Sequence, residues 1–157
     1  MFFVTYPSPL GELTLTSDGE HLTGLWMDTQ ELPNTTYIRK DDLSVFQQTK
    51  GWLDAYFLGN TPESDTLPLS PAGTAFQRQV WQFLLTIPYG ETITYGAIAK
   101  AISPTMSAQA VGGAVGRNPI SIIIPCHRVI GADGRLTGYA GGIEKKAWLL
   151  RHEEETK

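Results

Sequence analysis

The chain has almost no cysteine. Cys126 is the single thiol among 157 residues, so an internal disulfide is excluded. One thiol and three scattered histidines make no recognisable zinc framework, and the N-terminal half offers only His21. Apolar runs are short throughout, and the opening Met1-Phe2-Phe3-Val4 turns polar at Thr5 with no basic flank. Neither a secretion signal nor a membrane span is expected, and a reducing, cytoplasmic setting is. With 41% hydrophobic and 10% aromatic residues, the composition argues against disorder and suits one large or two small cores.

Basic residues are scarce in the first half and acidic ones in the second. Residues 1–75 carry three basic and ten acidic side chains, net −7, whereas residues 76–157 carry nine and six, net +3. The overall charge of −4 therefore hides a C-terminal half able to face phosphate, with the acidic half turned away.

A proline-punctuated stretch, Gly59-Asn60-Thr61-Pro62 to Pro68 and Ser70-Pro71, separates two differently patterned segments. The expected fold class is α+β. Residues 1–69 should form a small supporting α/β domain, an antiparallel hairpin sheet plus a helix. Residues 70–157 should form a mostly helical, winged-helix-like domain with a helix-turn-helix. In the first, Leu13 and Leu15 alternate with polar residues up to an Asp18-Gly19 turn into Leu22-Thr23-Gly24-Leu25-Trp26, which reads as a hairpin. Leu43, Phe46, Leu53 and Phe57 keep helical spacing despite Gly51. In the second, Thr74 is placed to cap a helix carrying Phe76, Val80, Phe83, Leu84 and Ile87, closed by Pro88-Tyr89-Gly90.

Two short helices follow, one over residues 92–99 and one from about Ser107 to Val115, separated at Ser103-Pro104. They fit a DNA-reading helix-turn-helix and equally an ordinary helical hairpin. The second is nearly bare, with Ala108, Ala110, Gly112, Gly113, Ala114 and Gly116. Its interior glycines cost about 1 kcal/mol each, and two reasons for them stand side by side: close helix packing, or close approach to a nucleic-acid backbone.

Cys126 sits in Ile122-Ile123-Ile124-Pro125-Cys126-His127-Arg128-Val129. The apolar run suggests a short buried strand that the proline ends, placing thiol and imidazole just past it. A lone cysteine is commonly a small buried hydrophobe. An adjacent imidazole gives a second reading, a nucleophile, because it raises the thiolate fraction wherever the backbone turns enough for the two side chains to cooperate.

These motifs resemble the methylated-DNA-protein cysteine methyltransferases, the O6-alkylguanine-DNA alkyltransferases. The resemblance runs through residues 76–81, Ile87-Pro88-Tyr89-Gly90-Glu91-Thr92, Thr94-Tyr95-Gly96, Ala110-Val111-Gly112, Asn118-Pro119, Pro125-Cys126-His127-Arg128-Val129, residues 138–142 and residues 148–153. It is thinner at Ser8-Pro9-Leu10-Gly11 and Leu22-Thr23-Gly24-Leu25. What it implies is DNA repair by direct, irreversible, single-turnover transfer of an alkyl group from O6 of guanine to Cys126, with O4-alkylthymine a second candidate base. It implies no cofactor and no metal. The implied partner is double-stranded DNA approached from the minor groove by a monomer that flips the damaged base out. By the same resemblance His127 takes the thiol proton through a water, Glu153 orients the imidazole, Asn118 holds the turn near the cysteine, and Tyr95 donates a proton toward the guanine. Gln109 stands where the family has an inserted arginine, with Ala110, Gly112, Gly113 and Arg117 beside it on the DNA-facing helix. Val129, Tyr139, Ala140, Gly141 and Ile143 line the alkyl pocket or read the guanine, and the small residues there leave room for groups larger than methyl. Arg128 belongs to the substrate-side set, with a bracing role through carboxylates or carbonyls preferred. A sensor of alkylated DNA without chemistry and a cysteine hydrolase are the alternatives.

Overall fold

The computed structural model describes residues 1–33 and 35–157. Contacts divide the chain into two units, Met1–Ala72 with Pro119–Ser121, and Gly73–Asn118 with Ile122–Lys157.

The first unit is built on a four-stranded sheet in the order β3-β2-β1-β4, where β1 is Phe2–Ser8, β2 Gly11–Ser17, β3 Leu22–Trp26 and β4 Ile38–Arg39. Strands β1 to β3 are antiparallel, and β4 adds in parallel to β1. The expected hairpin is β2 and β3. The opening Phe2-Phe3-Val4, whose sequence carries no strand alternation, begins β1. Gly11, at φ +99°, makes the β1–β2 turn, where a Cβ would lie 2.5 Å from Asp28 Oδ2. Helix α1 (Ser44–Phe57) lays Val45, Phe46, Leu53 and Tyr56 inward, while Val4, Leu13, Leu15, Leu22 and Leu25 are buried from the sheet. The proline-rich stretch is not a loose tether, since Leu22 N–H donates to Pro68 O at 2.8 Å and Ser70 N–H to Leu22 O at 2.9 Å. Pro119–Ser121 bonds Leu25 on both sides.

The second unit begins with α2 (Ala75–Leu84). Its start is fixed by a capping box in which the Thr74 hydroxyl accepts from Gln77 N–H and the Gln77 side chain accepts from Thr74 N–H. Such a cap contributes about 1 kcal/mol. Trp81 from α2 is buried and donates through Nε1 to Ala114 O at 2.8 Å. Helices α3 (Tyr95–Ile102) and α4 (Ala108–Gly116) form the helix-turn-helix, N-capped by Thr94 and Ser107. The first of these starts three residues later than expected, because β5 (Ile93–Thr94) is drawn out to pair in parallel with β6 (Val129–Ile130). Helix α5 (Ile143–Thr156) closes the unit.

No helix among the described residues is long and apolar enough to cross a membrane.

Candidate active site

The segment leading to Cys126 is not the strand expected at residues 122–124. Those isoleucines are buried, but they lie in a tight turn, with Ile122 at φ +72°. The turn is held at one atom. Ile124 O accepts from Asn118 Nδ2 and from Cys126 N–H, both at 2.8 Å. Two local donors on one carbonyl replace a strand ladder, so apolar character here reflects burial alone. The chain then enters a 3-10 turn, Cys126–Arg128, whose tight winding frees neighbouring side chains from the opposite-face rule of a strand.

His127 and Glu153 are both buried, with His127 Nε2 2.6 Å from Glu153 Oε2. Glu153 Oε1 also accepts from Arg128 Nε at 2.8 Å and Gly90 N–H at 3.2 Å, and Oε2 from an Arg128 terminal nitrogen at 3.1 Å. Burial alone would raise the carboxyl's pKa; hydrogen bonds from His127 and Arg128, with the fixed charge of the Arg128 guanidinium, outweigh it and hold Glu153 well below the usual carboxylate range. Burial pushes the His127 pKa down against the pull of Glu153, leaving a neutral ring at pH 7. An ionised carboxylate only accepts, so Nε2 carries the proton and Nδ1 is left basic. Nδ1 is buried with no protein hydrogen-bond partner. A neutral imidazole held by a carboxylate, with its other nitrogen available, is the arrangement of a general base.

Arg128 is engaged by the protein's own groups. Its side chain is 10% exposed, forks onto Glu153, donates to Ile87 O at 2.7 Å and lies 5.6 Å over the Tyr89 ring. These contacts are those of the bracing role expected for it.

Tyr95, first residue of α3, is carried in by the β5–β6 pairing, which matches Thr94 with Ile130. It lines an open cleft of about 530 Å³ with Ala108, Gln109, Gly112, Gly116, Thr137, Gly138 and Ala140. Cys126, Asn118, Tyr139 and Ala140 line a small pocket of about 10 Å³ that shares Gly116, Gly138 and Ala140 with the cleft. Space beside the sulfur is thus small. Gln109, Ala110, Gly113 and Arg117 are exposed on α4 and its C-cap. A Cβ at Gly113 or Gly116 would meet nothing within 4 Å, and one at Gly112 would make ordinary contact with the Tyr95 ring. Helix packing therefore does not demand the bare face. Val129 and Gly141 are buried, and Ile143 is exposed as the first residue of α5.

Lys146 was missed in the sequence. It is fully buried, donates to Val129 O at 2.6 Å and Thr137 O at 3.3 Å, and its lowered pKa comes from burial, offset by attraction to Cys126. The signal was available: Lys146, Leu149 and Glu153 share the buried stripe of α5, so a helix that turns Glu153 inward turns Lys146 inward too.

Comparison with known proteins gives the same picture along the whole chain. Residues 75–155 match the 6-O-methylguanine DNA methyltransferase DNA binding domain, and residues 1–71 match that family's ribonuclease-like domain. A Haemophilus influenzae methylated-DNA–protein-cysteine methyltransferase is 46% identical over 98% of this chain and 87% of its own length. One from Mycobacterium bovis is 50% identical over 96% and 90%. A Mycobacterium tuberculosis OGT crystallised in complex with DNA superposes with a TM-score of 0.90 at 47% identity, covering 99% of this chain and 94% of that one. With both halves of the sequence matched in order, the chain belongs to the 6-O-methylguanine DNA methyltransferase family.

Proposed function

We propose that the protein repairs DNA by moving an alkyl group from O6 of guanine to Cys126, once per molecule. The observation that carries this reading is the Glu153–His127 hydrogen bond, which leaves a neutral imidazole with a basic Nδ1 one residue from the chain's single thiol. His127 Nδ1 takes the thiol proton through a water, and Lys146 favours the resulting thiolate by its charge. Sulfur attacks the alkyl carbon; the S–C bond forms as the C–O6 bond breaks, and its electron pair passes to the guanine. Tyr95 donates a proton to that guanine, and the proton held by His127 passes back to the Tyr95 phenolate, so that thiol and O6-alkylguanine become thioether and guanine with both side chains restored. The thioether has no means of reversal, so the protein is spent and needs no cofactor.

A stacked guanine cannot present O6 to a buried thiol, so the base must leave the duplex. The bare face of α4 supports a close minor-groove approach, with Gln109 at its start as the residue inserted into the vacated stack. Asn118 fixes the turn that carries the nucleophile. The unit of Gly73–Asn118 and Ile122–Lys157 is the reacting one, close to the expected 70–157, and the other is a support. A thiol used this way must stay reduced, which supports a reducing setting such as the cytoplasm.

The test is peptide mapping after incubation with a duplex containing O6-methylguanine. S-methylation confined to Cys126, with guanine restored in the DNA, is the expected result. Continued release of hydrolysed product without a modified cysteine would overturn it in favour of a thiol hydrolase, and binding without modification in favour of a sensor.

A further inference from the structure

The Tyr95 phenol is held by the protein before any base arrives. Thr137 Oγ1 donates a hydrogen bond to the Tyr95 hydroxyl oxygen at 2.8 Å. The backbone of the same residue is also tied, its carbonyl accepting from the buried ammonium of Lys146 at 3.3 Å. That ammonium also donates to Val129 O at 2.6 Å, and Val129 pairs with Ile93, two residues before Tyr95. Thr137 lies in the stretch between β6 and α5, where Gly131 N–H donates to Arg135 O at 2.9 Å and Gly142 N–H to Tyr139 O at 2.8 Å. Thr137 and Tyr95 both line the 530 Å³ cleft.

The direction of the Thr137–Tyr95 bond matters. A phenol has one hydrogen. A neighbour that accepted it would consume the proton the reaction requires, whereas a neighbour that donates to the oxygen leaves that hydrogen for another acceptor and polarises it. Threonine suits the task because its β-branch restricts χ1 and so limits the positions its hydroxyl oxygen can take.

We propose that Thr137 is a positioning residue for alkyl transfer: its hydroxyl fixes the Tyr95 oxygen as an acceptor, so that the phenol's own hydrogen is directed into the cleft toward the flipped guanine. This rests on Tyr95 as the proton donor of the reaction. The guanine is contacted by Tyr95, and Thr137 acts only through it.

The test is single-turnover transfer from a duplex containing O6-methylguanine, with the transfer rate at saturating DNA and the duplex Kd measured separately. Thr137→Val keeps the shape and removes the donor. It should slow the transfer step about tenfold, the size expected for one lost hydrogen bond, while leaving Kd within about twofold. Thr137→Ser should restore the rate to within about threefold of the native protein. In a Tyr95→Phe background, Thr137→Val should have no further effect, because the oxygen it addresses is gone. If Tyr95→Phe is slow but Thr137→Val matches the native rate, the proposal is wrong and the role of Tyr95 stands. Equal losses from Thr137→Val with and without the Tyr95 hydroxyl would mark Thr137 as merely structural and overturn it as well. A Tyr95→Phe protein at the native rate removes the role of Tyr95 itself, and the proposal falls with it.

Discussion

The first unit closes over Val4, Leu13, Leu15, Leu22, Phe46 and Leu53, and its buried polar side chains among the described residues are the hydroxyls of Thr16, Ser17, Thr49 and Ser121. The second unit encloses His127, Arg128, Lys146 and Glu153. Apolar burial stabilises without further conditions, whereas buried charges stabilise little unless each is paired and hydrogen-bonded. A fold that only had to be stable would fill the second interior as it filled the first. The proposed reaction accounts for the ionisable cluster, because making a thiol nucleophilic out of water calls for a base, its orienting acid and compensating cations. One unit shows what folding requires and the other what chemistry adds to it.

The comparison is sharpest at the sulfur. Cys126→Ser should leave the protein folded and transfer undetectable in a gel assay of methylated duplex, since a hydroxyl beside the same imidazole is a far weaker nucleophile toward carbon. Serine transferring at the native rate would break the account.

Next comes a pair of core changes that separate stability from activity. Glu153→Gln should cost about 3–5 kcal/mol in urea unfolding, because Arg128 and His127 lose the carboxylate that pairs them, and transfer per folded molecule should fall sharply. Leu53→Ala in the first unit should cost a comparable 2–5 kcal/mol and leave transfer per folded molecule unchanged. If both lose activity in proportion to stability, the second unit's charges have no special role.

Acidification should also distinguish the clusters. His127 and Glu153 both have folded pKa values below their unfolded ones, so the unfolded chain binds their protons first. Their stabilisation is present above about pH 6.5 for His127 and about pH 4.3 for Glu153, and it fades as the pH drops below each. The thermal midpoint should fall on acidification, and the fall should flatten in Glu153→Gln. The rate at saturating DNA should decline as His127 becomes protonated.

The smallest effect is expected on the bare helix. Gln109→Ala should slow repair of duplex DNA several-fold and leave reaction with the free base O6-methylguanine unchanged, because extrusion is needed only for a stacked base. Gln109→Arg should match or exceed the native duplex rate. Two variants indistinguishable from the native protein would remove Gln109 from the DNA-facing set.

Much of this was legible in the sequence where local rules and tertiary demands agree. The Thr74 cap, the Asp18-Gly19 hairpin and the turn between the short helices all fell where local chemistry put them. The run of isoleucines at 122–124 misled because burial and extension give the same apolar pattern, and the deciding partner, the Asn118 amide, is set by the fold. The later start of α3 follows from a two-residue pairing with β6, thirty-six residues on, which local propensity does not register. The β4 pairing is equally silent, as Ile38 and Arg39 are exposed and carry no alternation. Lys146 was overlooked because a lysine is ordinarily read as a solvated residue; its place in register with Leu149 and Glu153 contains the information, but only once α5 is drawn as a helix.

The most direct measurement is stoichiometric. A fixed amount of protein is titrated with excess methylated duplex, restored guanines are counted, and the protein's intact mass is followed. Repair should level off at one guanine per protein molecule, with every molecule heavier by one methyl. Restoration that continues past equivalence, or a protein whose mass never changes, would contradict the account.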